Sequence, residues 1–319
     1  MADSKVYKTF DDEEAALSRS SASSVLSSRS ASSRGEKQPL IESSASSAGS
    51  FAPSTLPPAP GDDNCSSHAG DDESDIFFDL IPIKLIRPLI VELLGTAFFV
   101  LFGAMMPFAS GLLTNTLIVA IGHGLAFIGL MIALQHISRA HFNPMLTWAV
   151  YVSGAMPFLP AALYIIAQLL GGLLGAVFLR AVMTLTQYDS IAGGTIDITH
   201  DDWPRAIFME TLLCLILASV WLNAVLDSKG KNVLAPLAVG FTIVVAMLAG
   251  TRISGAIMNP ARSVGPNIIY SAFGTFDTAA THWNHHYVVW LGSFFGGAIA
   301  GALYKLFLAR EEKRVVPFI

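Results

Sequence analysis

The chain has 319 residues, of which 53% are hydrophobic and 13% are charged, whereas about 25% of the residues of a typical soluble domain are charged. The formal net charge of −5 comes without any basic block, which argues against a nucleic-acid partner. The two cysteines, Cys65 and Cys214, are too few for a disulfide framework or a zinc site. Because we find no nucleophile–base pair, metal cluster or phosphate loop, we expect neither an enzyme nor a bound cofactor.

Residues 1–80 differ sharply from the rest of the chain. They are rich in Ser, Ala, Pro and acidic residues, a composition that predicts a disordered, cytoplasmic N-terminal tail. Met1 leads into this polar sequence, so we expect no signal peptide. The tail has patterns typical of kinase sites and of sorting signals read by adaptor proteins, although a solvated linker is the simpler interpretation of any one serine. These patterns are Ser18–Ser21, Ser28–Ser32, Glu36–Ile41 and Tyr7–Phe10.

Apolar runs dominate the sequence from residue 84 to residue 309. Six of these runs are long enough to cross a hydrocarbon core of roughly 30 Å, which predicts an all-α membrane domain. A short cytoplasmic tail, 310–319, is expected to follow it. The predicted spans are 86–108, 114–136, 158–182, 204–226, 235–250 and 286–308.

Two Asn-Pro pairs interrupt this apolar sequence. Asn143-Pro144 follows the second span and Asn259-Pro260 follows the fifth. Asparagine is a favoured helix N-cap and proline is favoured at the first helical position, so each pair predicts a helix start. The apolar continuations, of about 10–12 residues, are too short to cross a bilayer. Each pair therefore predicts a re-entrant half-helix that points its positive dipole end into the membrane.

The two halves of the membrane domain repeat. Glu92 in the first span precedes Asn143 by 51 positions, and Glu210 in the fourth span precedes Asn259 by 49 positions. Three spans and a half-helix, given twice, must insert with opposite orientations because three crossings reverse the direction of the chain. The pattern predicts an inverted repeat with a transport site near the middle of the membrane.

Loop charges predict the orientation of the chain. Basic residues flank the first, fourth and sixth spans, whereas the connection 186–203 has four aspartates and no Lys or Arg. Cytoplasmic loops carry an excess of Lys and Arg, so both termini are predicted to face the cytoplasm. With the sorting patterns, this indicates a multi-pass protein of the plasma membrane or of endosomal–lysosomal (vacuolar) membranes. The basic residues are Lys84, Arg87, Lys229, Lys231, Arg310, Lys313 and Arg314.

Together these features resemble the aquaporin family. The resemblance rests on the six spans, the paired half-helices, an acidic residue in the first and fourth spans and the sequence Met258–Ser263, and it covers about 86–308. Val91–Gly95, Ala235–Gly240 and His282–His286 are most similar to the aquaporin-eight-like, ammonia-permeable branch. The resemblance implies six transmembrane helices with two re-entrant half-helices, assembled as a homotetramer with one pore per subunit.

The resemblance also implies which residues form the pore. The two asparagines would each offer an amide N–H to a passing water, and the positive helix ends would exclude protons and cations. A plain N-cap without a role in the lumen is the alternative for both. The pore motifs are Asn143, Pro144 and Met145 in the first half and Asn259, Pro260 and Ala261 in the second. The residues that match the family's selectivity filter by position are His123, Met247, Ala256 and Arg262.

The filter positions depart from those of orthodox water channels, which have Phe and His where this chain has His123 and Met247. The family pattern then implies passage of ammonia, hydrogen peroxide and sometimes urea besides water. Arg262 would supply donors and a fixed positive charge, while the tautomer of His123 decides whether that residue donates or accepts. Two departures bear on the pore: the bulk of Met145 is expected near the midplane constriction, and Arg139 stands where glycine is expected.

Glu92 and Glu210 need polar partners inside a membrane. The family pattern implies that they accept hydrogen bonds from backbone N–H groups of the re-entrant loops, with His136, His141 and Gln168 as further polar supports. A proton-relay role for the two acids is the alternative, and it would make the protein a coupled secondary transporter. A non-conducting adhesion or signalling member of the same fold is a third possibility.

Overall fold

The computed structural model describes residues 83–109, 115–196, 198, 202–226, 233–275 and 282–309. Within these residues the chain is helical and contains no strand. The predicted tails, the connecting aspartates Asp197 and Asp201, and the basic residues Lys229 and Lys231 lie outside them. The helices are α1 (Ile83–Ala109), α2 (Thr116–Ser138), α3 (Pro144–Val152), α4 (Phe158–Val182), α5 (Leu185–Ser190), α6 (Trp203–Trp221), α7 (Ala235–Ser254), α8 (Pro260–Phe273) and α9 (Tyr287–Leu303).

Six of the described helices, α1, α2, α4, α6, α7 and α9, are long and apolar enough to cross a membrane. Helices α6 and α9 continue into π-helical turns, Leu222–Leu226 and Tyr304–Leu308. The 20 residues of α7 span about 30 Å at 1.5 Å per residue, which matches the hydrocarbon thickness. The six predicted spans are confirmed, with ends shifted by only a few residues.

Helices α3 and α8 are the predicted half-helices. They have 9 and 14 residues and are therefore about 14 and 21 Å long, too short to cross a bilayer. Helix α8 is longer than predicted because it continues through the polar residues Asn267 and Ser271. The prediction counted only the apolar residues, so it ended the helix before these two positions.

The two halves of the domain interlock. Helix α1 packs against α4 as α6 packs against α9, and α2 packs against α7. Each half-helix packs against the last spanning helix of the other half, α3 on α9 and α8 on α4. Glycines permit the close approach: a Cβ atom at Gly175 would overlap the carbonyl of Ala97, and one at Gly296 would overlap the carbonyl of Thr211. This exchange of half-helices holds both of their N-termini near the centre of the domain.

The segments that precede the half-helices, 139–143 and 255–259, share an uncommon backbone conformation. Three residues of each segment have backbone angles in the left-handed region, which residues other than glycine rarely adopt. Such conformations persist only where surrounding contacts hold them. The φ angles are 70°, 54° and 48° at Arg139, Ala140 and Phe142, and 86°, 49° and 52° at Gly255, Ala256 and Met258.

Candidate functional site

Asn143 and Asn259 are the N-caps of the two half-helices. Both have extended backbone angles, with φ of −157° and −145°. The Asn143 side-chain oxygen accepts from the Met145 N–H at 2.9 Å. That of Asn259 accepts from the N–H groups of Ala261 and Arg262 at 3.0 and 3.3 Å. Each cap thereby satisfies backbone donors that have no partner within the helix.

The same two side chains join the halves of the protein. Asn143 Nδ2 donates to the carbonyl oxygen of Met258 at 2.9 Å, and Asn259 Nδ2 donates to that of Phe142 at 3.0 Å. A side-chain amide has two N–H groups, so each asparagine keeps one N–H that these contacts do not use. These reciprocal bonds hold the two amides at the point where the half-helices meet. Asn143 and Asn259 are each only 3% exposed there.

Two buried carboxylates hold the left-handed segments in place. Glu92 on α1 accepts from the backbone N–H groups of His141 and Phe142 at 3.0 and 2.7 Å. Glu210 on α6 accepts from those of the two corresponding residues, Ile257 and Met258, at 2.9 and 2.7 Å. The two halves thus repeat one arrangement, in which a carboxylate orients consecutive N–H groups of a loop.

Serines extend this arrangement in both halves. Ser138 Oγ accepts from the Ala140 N–H at 3.1 Å, and Ser254 Oγ accepts from the Ala256 N–H at 3.2 Å. Ser254 Oγ also donates to Glu210 at 2.6 Å. The loops therefore turn around fixed oxygens, although sequence reasoning did not single out either serine. Their shared position, five residues before each asparagine, is the signal that would have identified them.

Gln168 and His141 belong to a buried polar network behind the first loop. Gln168 Nε2 donates to Glu92 and to Thr147 Oγ1, both at 2.8 Å. His141 Nδ1 lies 2.9 Å from the same hydroxyl, so its side chain points into the protein. His136 is exposed, and its assignment as a polar support of the loops was wrong because it lies on the outer face of α2.

Two cavities meet at the filter positions. A small cavity of about 20 Å³ is lined by Asn143, Asn259 and all four residues predicted to form the filter, and it is of the size that one water molecule needs. A second cavity of about 470 Å³ lies next to it. Met247 and Arg262 line both cavities, and they therefore mark the narrow point between a wide mouth and the small central space.

The hydrogen bonds at this narrow point define its polarity. His123 Nδ1 lies 2.8 Å from the carbonyl oxygen of Val119. A carbonyl oxygen only accepts, so Nδ1 carries a proton, and in the neutral imidazole Nε2 then has the lone pair. Nε2 has no partner within the described part of the chain. Arg262 donates from Nη1 to the carbonyl of Gly194 at 3.3 Å, which leaves further guanidinium N–H groups. The constriction thus contains the donors of Arg262 and the imidazole of His123, whose Nε2 is a buried acceptor, beside the apolar Met247 and Ala256.

Met145 does not occupy the place that its sequence position suggested. Its side chain lies against Gly297 on α9. If residue 297 had a Cβ atom, that atom would lie 3.3 Å from Met145 Cγ. Met145 does not line the small cavity. The glycine on the neighbouring helix accommodates the longer side chain, so the bulk of Met145 is directed toward α9.

Two sets of contacts, one made by Arg262 and one by its neighbour Ser263, were missed by sequence reasoning. The Gly194 carbonyl is available to Arg262 because Gly193 and Gly194 both have positive φ, 59° and 79°, and the paired glycines were the available signal. His286 accepts at Nδ1 from Trp290 Nε1 at 3.3 Å, so its Nε2 donates to Ser263 Oγ at 3.0 Å. Burial lowers the pKa of His286, which favours this neutral form.

Replacing Arg139 by glycine is expected to raise the stability of the protein by about 0.5–1 kcal/mol. Arg139 is an exposed C-cap with φ of 70°. The left-handed conformation costs a residue with a Cβ about 1–2 kcal/mol, and glycine avoids this cost. Glycine also has more conformational freedom in the unfolded chain, which offsets part of the gain. Thermal unfolding in detergent measures the difference. Gly255→Ala, at the corresponding position of the second half, is expected to change stability in the opposite direction, and a less stable Arg139→Gly protein would contradict the strain argument.

Comparisons with known proteins agree with this geometry. Residues 80–304 match the family described as Major intrinsic protein. The chain is 35% identical to aquaporin-8 of Notomys alexis over 236 residues, which cover 73% of this chain and 86% of that protein. It is 33% identical to aquaporin-2 of Bos taurus over 242 residues, or 74% and 84% of the two chains.

A solved structure shares the fold. The X-ray structure of the aquaglyceroporin from Plasmodium falciparum superimposes with a TM-score of 0.61 at 21% sequence identity, covering 70% of this chain and 97% of that one. The helix order, the paired half-helices and the family match lead to one assignment. The chain belongs to the major intrinsic protein family, the aquaporins, whose members are membrane channels for water and small solutes.

Proposed function

We propose that the protein is a passive channel for water, ammonia, hydrogen peroxide and urea that excludes protons and ions. The observation that carries this proposal is the meeting of two helix N-termini at a cavity of single-water size. There, Asn143 and Asn259 each bind the opposite loop with one amide N–H and keep the other for a passing molecule. Helix N-termini carry partial positive charge, which opposes the entry of cations.

The paired amides support proton exclusion. A water that accepts from both Asn143 and Asn259 has both of its lone pairs engaged, so it donates its own hydrogens outward in both directions. Waters on either side then point away from the centre, and a chain of that polarity cannot relay a proton through the midplane. This role goes beyond capping, which uses only the side-chain oxygens.

The filter proposal rests on the opposed polarity of His123 and Arg262. A solute that both donates and accepts fits between them: ammonia or peroxide accepts from the guanidinium of Arg262 and, on a small rotation of the imidazole, donates to His123 Nε2, which is buried and has no partner among the described residues. Met247 adds a flexible apolar wall, and Ala256 leaves room beside it. Because the neutral His123 adds no second positive charge, the proposed repulsion of cations comes from Arg262 and the helix ends.

The alternatives fit the geometry less well. In a coupled transporter Glu92 or Glu210 would exchange protons, yet both carboxylates are engaged by loop N–H groups. A non-conducting adhesion or signalling role would leave the paired amides and the small cavity without use. Passive flux that is independent of membrane potential and has a low activation energy separates the proposed channel from both.

The same proposal includes the assembly and location of the protein. We infer a homotetramer in which each subunit has its own pore and both termini face the cytoplasm. Large apolar side chains such as Leu125 and Phe241, each 58% exposed, suit contact with lipid or a neighbouring subunit. The plasma membrane or an endosomal–lysosomal membrane is the proposed location, and residues 1–80 are the proposed target of kinases and sorting adaptors. Neither an enzymatic reaction nor a cofactor is part of the proposal.

The double variant His123→Phe/Met247→His tests the filter. It is expected to reduce the permeability to ammonia, peroxide and urea roughly tenfold while water permeability is retained, because a bulkier ring replaces the acceptor and a polar side chain replaces a flexible one. Stopped-flow swelling and uptake in proteoliposomes, with water and each solute, measure the ratios.

His136→Phe is the matched control for this experiment. It places the same substitution on the same helix, at an exposed position away from both cavities, so its solute ratios should equal those of the wild type. Unchanged ratios in the double variant would reject the filter positions, and absence of flux in the folded wild type would reject the channel itself.

A further inference from the structure

Gly103 on α1 lies directly behind the imidazole of His123. A Cβ atom at position 103 would come within 2.5 Å of His123 Nε2, 2.7 Å of Cδ2 and 3.2 Å of Cε1. Real Cβ contacts do not reach the two shorter distances. The ring of His123 therefore occupies space that exists only because residue 103 is glycine.

The surroundings restrict where the ring can go if that space is filled. His123 is joined through Nδ1 to the Val119 carbonyl of its own helix, and its ring packs on the edge of Phe99, with centroids 5.9 Å apart. Phe99 also contacts Phe127, with centroids 5.5 Å apart. The remaining open side of His123 is the small cavity that it lines, so displacement away from α1 moves the imidazole into the passage.

We propose that Gly103 is a specificity-determining residue: by receiving the His123 ring against α1, it sets the width of the constriction without lining it. This inference rests on the proposed role of His123 in the filter and extends it to a residue behind the pore wall. A small side chain at position 103 leaves space for the His123 ring against α1. The volume of residue 103 then limits the size of the solute that can pass.

Gly103→Ala is the direct test. It is expected to lower the ratio of urea to water permeability roughly tenfold, because overpacking drives the ring toward the passage and urea is the wider solute. Gly129→Ala is the matched control, since it makes the same change on α2 at a position where a Cβ atom meets nothing within 4 Å. Its ratio should equal that of the wild type.

A variant pair without the imidazole shows whether the effect passes through His123. In the His123→Ala background, adding Gly103→Ala is expected to change the urea-to-water ratio by less than about twofold, because the colliding ring is gone. If Gly103→Ala does not fold alone, recovery of folded protein in Gly103→Ala/His123→Ala supports the collision. Failure of that double variant to fold would overturn the inference.

The outcomes separate this inference from the proposed function. If His123→Ala leaves the solute ratios unchanged, His123 is not in the filter and the filter assignment fails. If His123→Ala raises the urea-to-water ratio but Gly103→Ala behaves like Gly129→Ala, the filter stands and the role of Gly103 is rejected. The latter result would mean that α1 and α2 separate instead of the ring moving.

Discussion

Replacing Glu210 by leucine is expected to abolish the folded channel. The change leaves the N–H groups of Ile257 and Met258 and the hydroxyl of Ser254 without their acceptor. Each buried orphaned group costs about 1–3 kcal/mol, so the three together approach the 5–15 kcal/mol that stabilises a typical protein. Recovery of a monodisperse peak in detergent, followed by water permeability of proteoliposomes, measures the loss.

Two further variants of α6 make this result interpretable. Phe208 is 65% exposed on the same helix, so Phe208→Leu should leave both yield and permeability unchanged. Glu210→Gln keeps one acceptor oxygen and should give an intermediate yield. A Glu210→Leu protein with normal yield and permeability would show that the loop does not depend on the carboxylate.

Replacing Arg262 by alanine is expected to raise urea permeability about tenfold or more and to weaken the exclusion of protons and cations. The guanidinium lies between the two cavities and is 6% exposed. Its removal both widens the constriction and deletes a fixed positive charge. The fold should persist, because the side chain donates to the Gly194 carbonyl, whose loss costs only about 1–3 kcal/mol. Solute uptake and pH-gradient dissipation in proteoliposomes measure both effects.

Charge and size are separated by comparing substitutions. Arg262→Lys keeps the charge but loses the planar fork, so it should retain cation exclusion while altering the solute ratios. Arg252 is exposed and lines only the wide cavity, which makes Arg252→Ala the matched control for loss of a cation near the mouth. Equal urea permeability in wild type and Arg262→Ala would remove Arg262 from the filter.

The sequence predicts the spans well because hydrocarbon thickness imposes a minimum length on every crossing helix. The starts of the half-helices are equally legible, since Asn at the N-cap and Pro at the first position express a local preference that the interior of the protein does not override. The nearly equal separations from Glu92 to Asn143 and from Glu210 to Asn259, 51 and 49 positions, identify the repeat. These features depend on positions along the chain, which the sequence records directly.

Directions in space are less accessible to such reasoning. The proton position on His123 follows from its contact with the Val119 carbonyl, and the placement of the Met145 side chain follows from its contact with Gly297. The sequence shows neither contact. His136 lies on the same helix as His123 but on its outer face, and its residue type alone does not distinguish it from a buried polar support. Helix rotation and cross-chain contacts decide these cases.

The reciprocal bonds from Asn143 to Met258 and from Asn259 to Phe142 have a consequence for biosynthesis. The first asparagine must wait for an acceptor 115 residues later in the chain, a delay of roughly 6 to 23 s at translation rates of 5–20 residues per second. Until then the segment before Asn143 lacks its hydrogen bond to the second half. Formation of the central junction is therefore a late step that neither half completes alone. A ribosome stalled before Met258 would leave a nascent chain without its central junction.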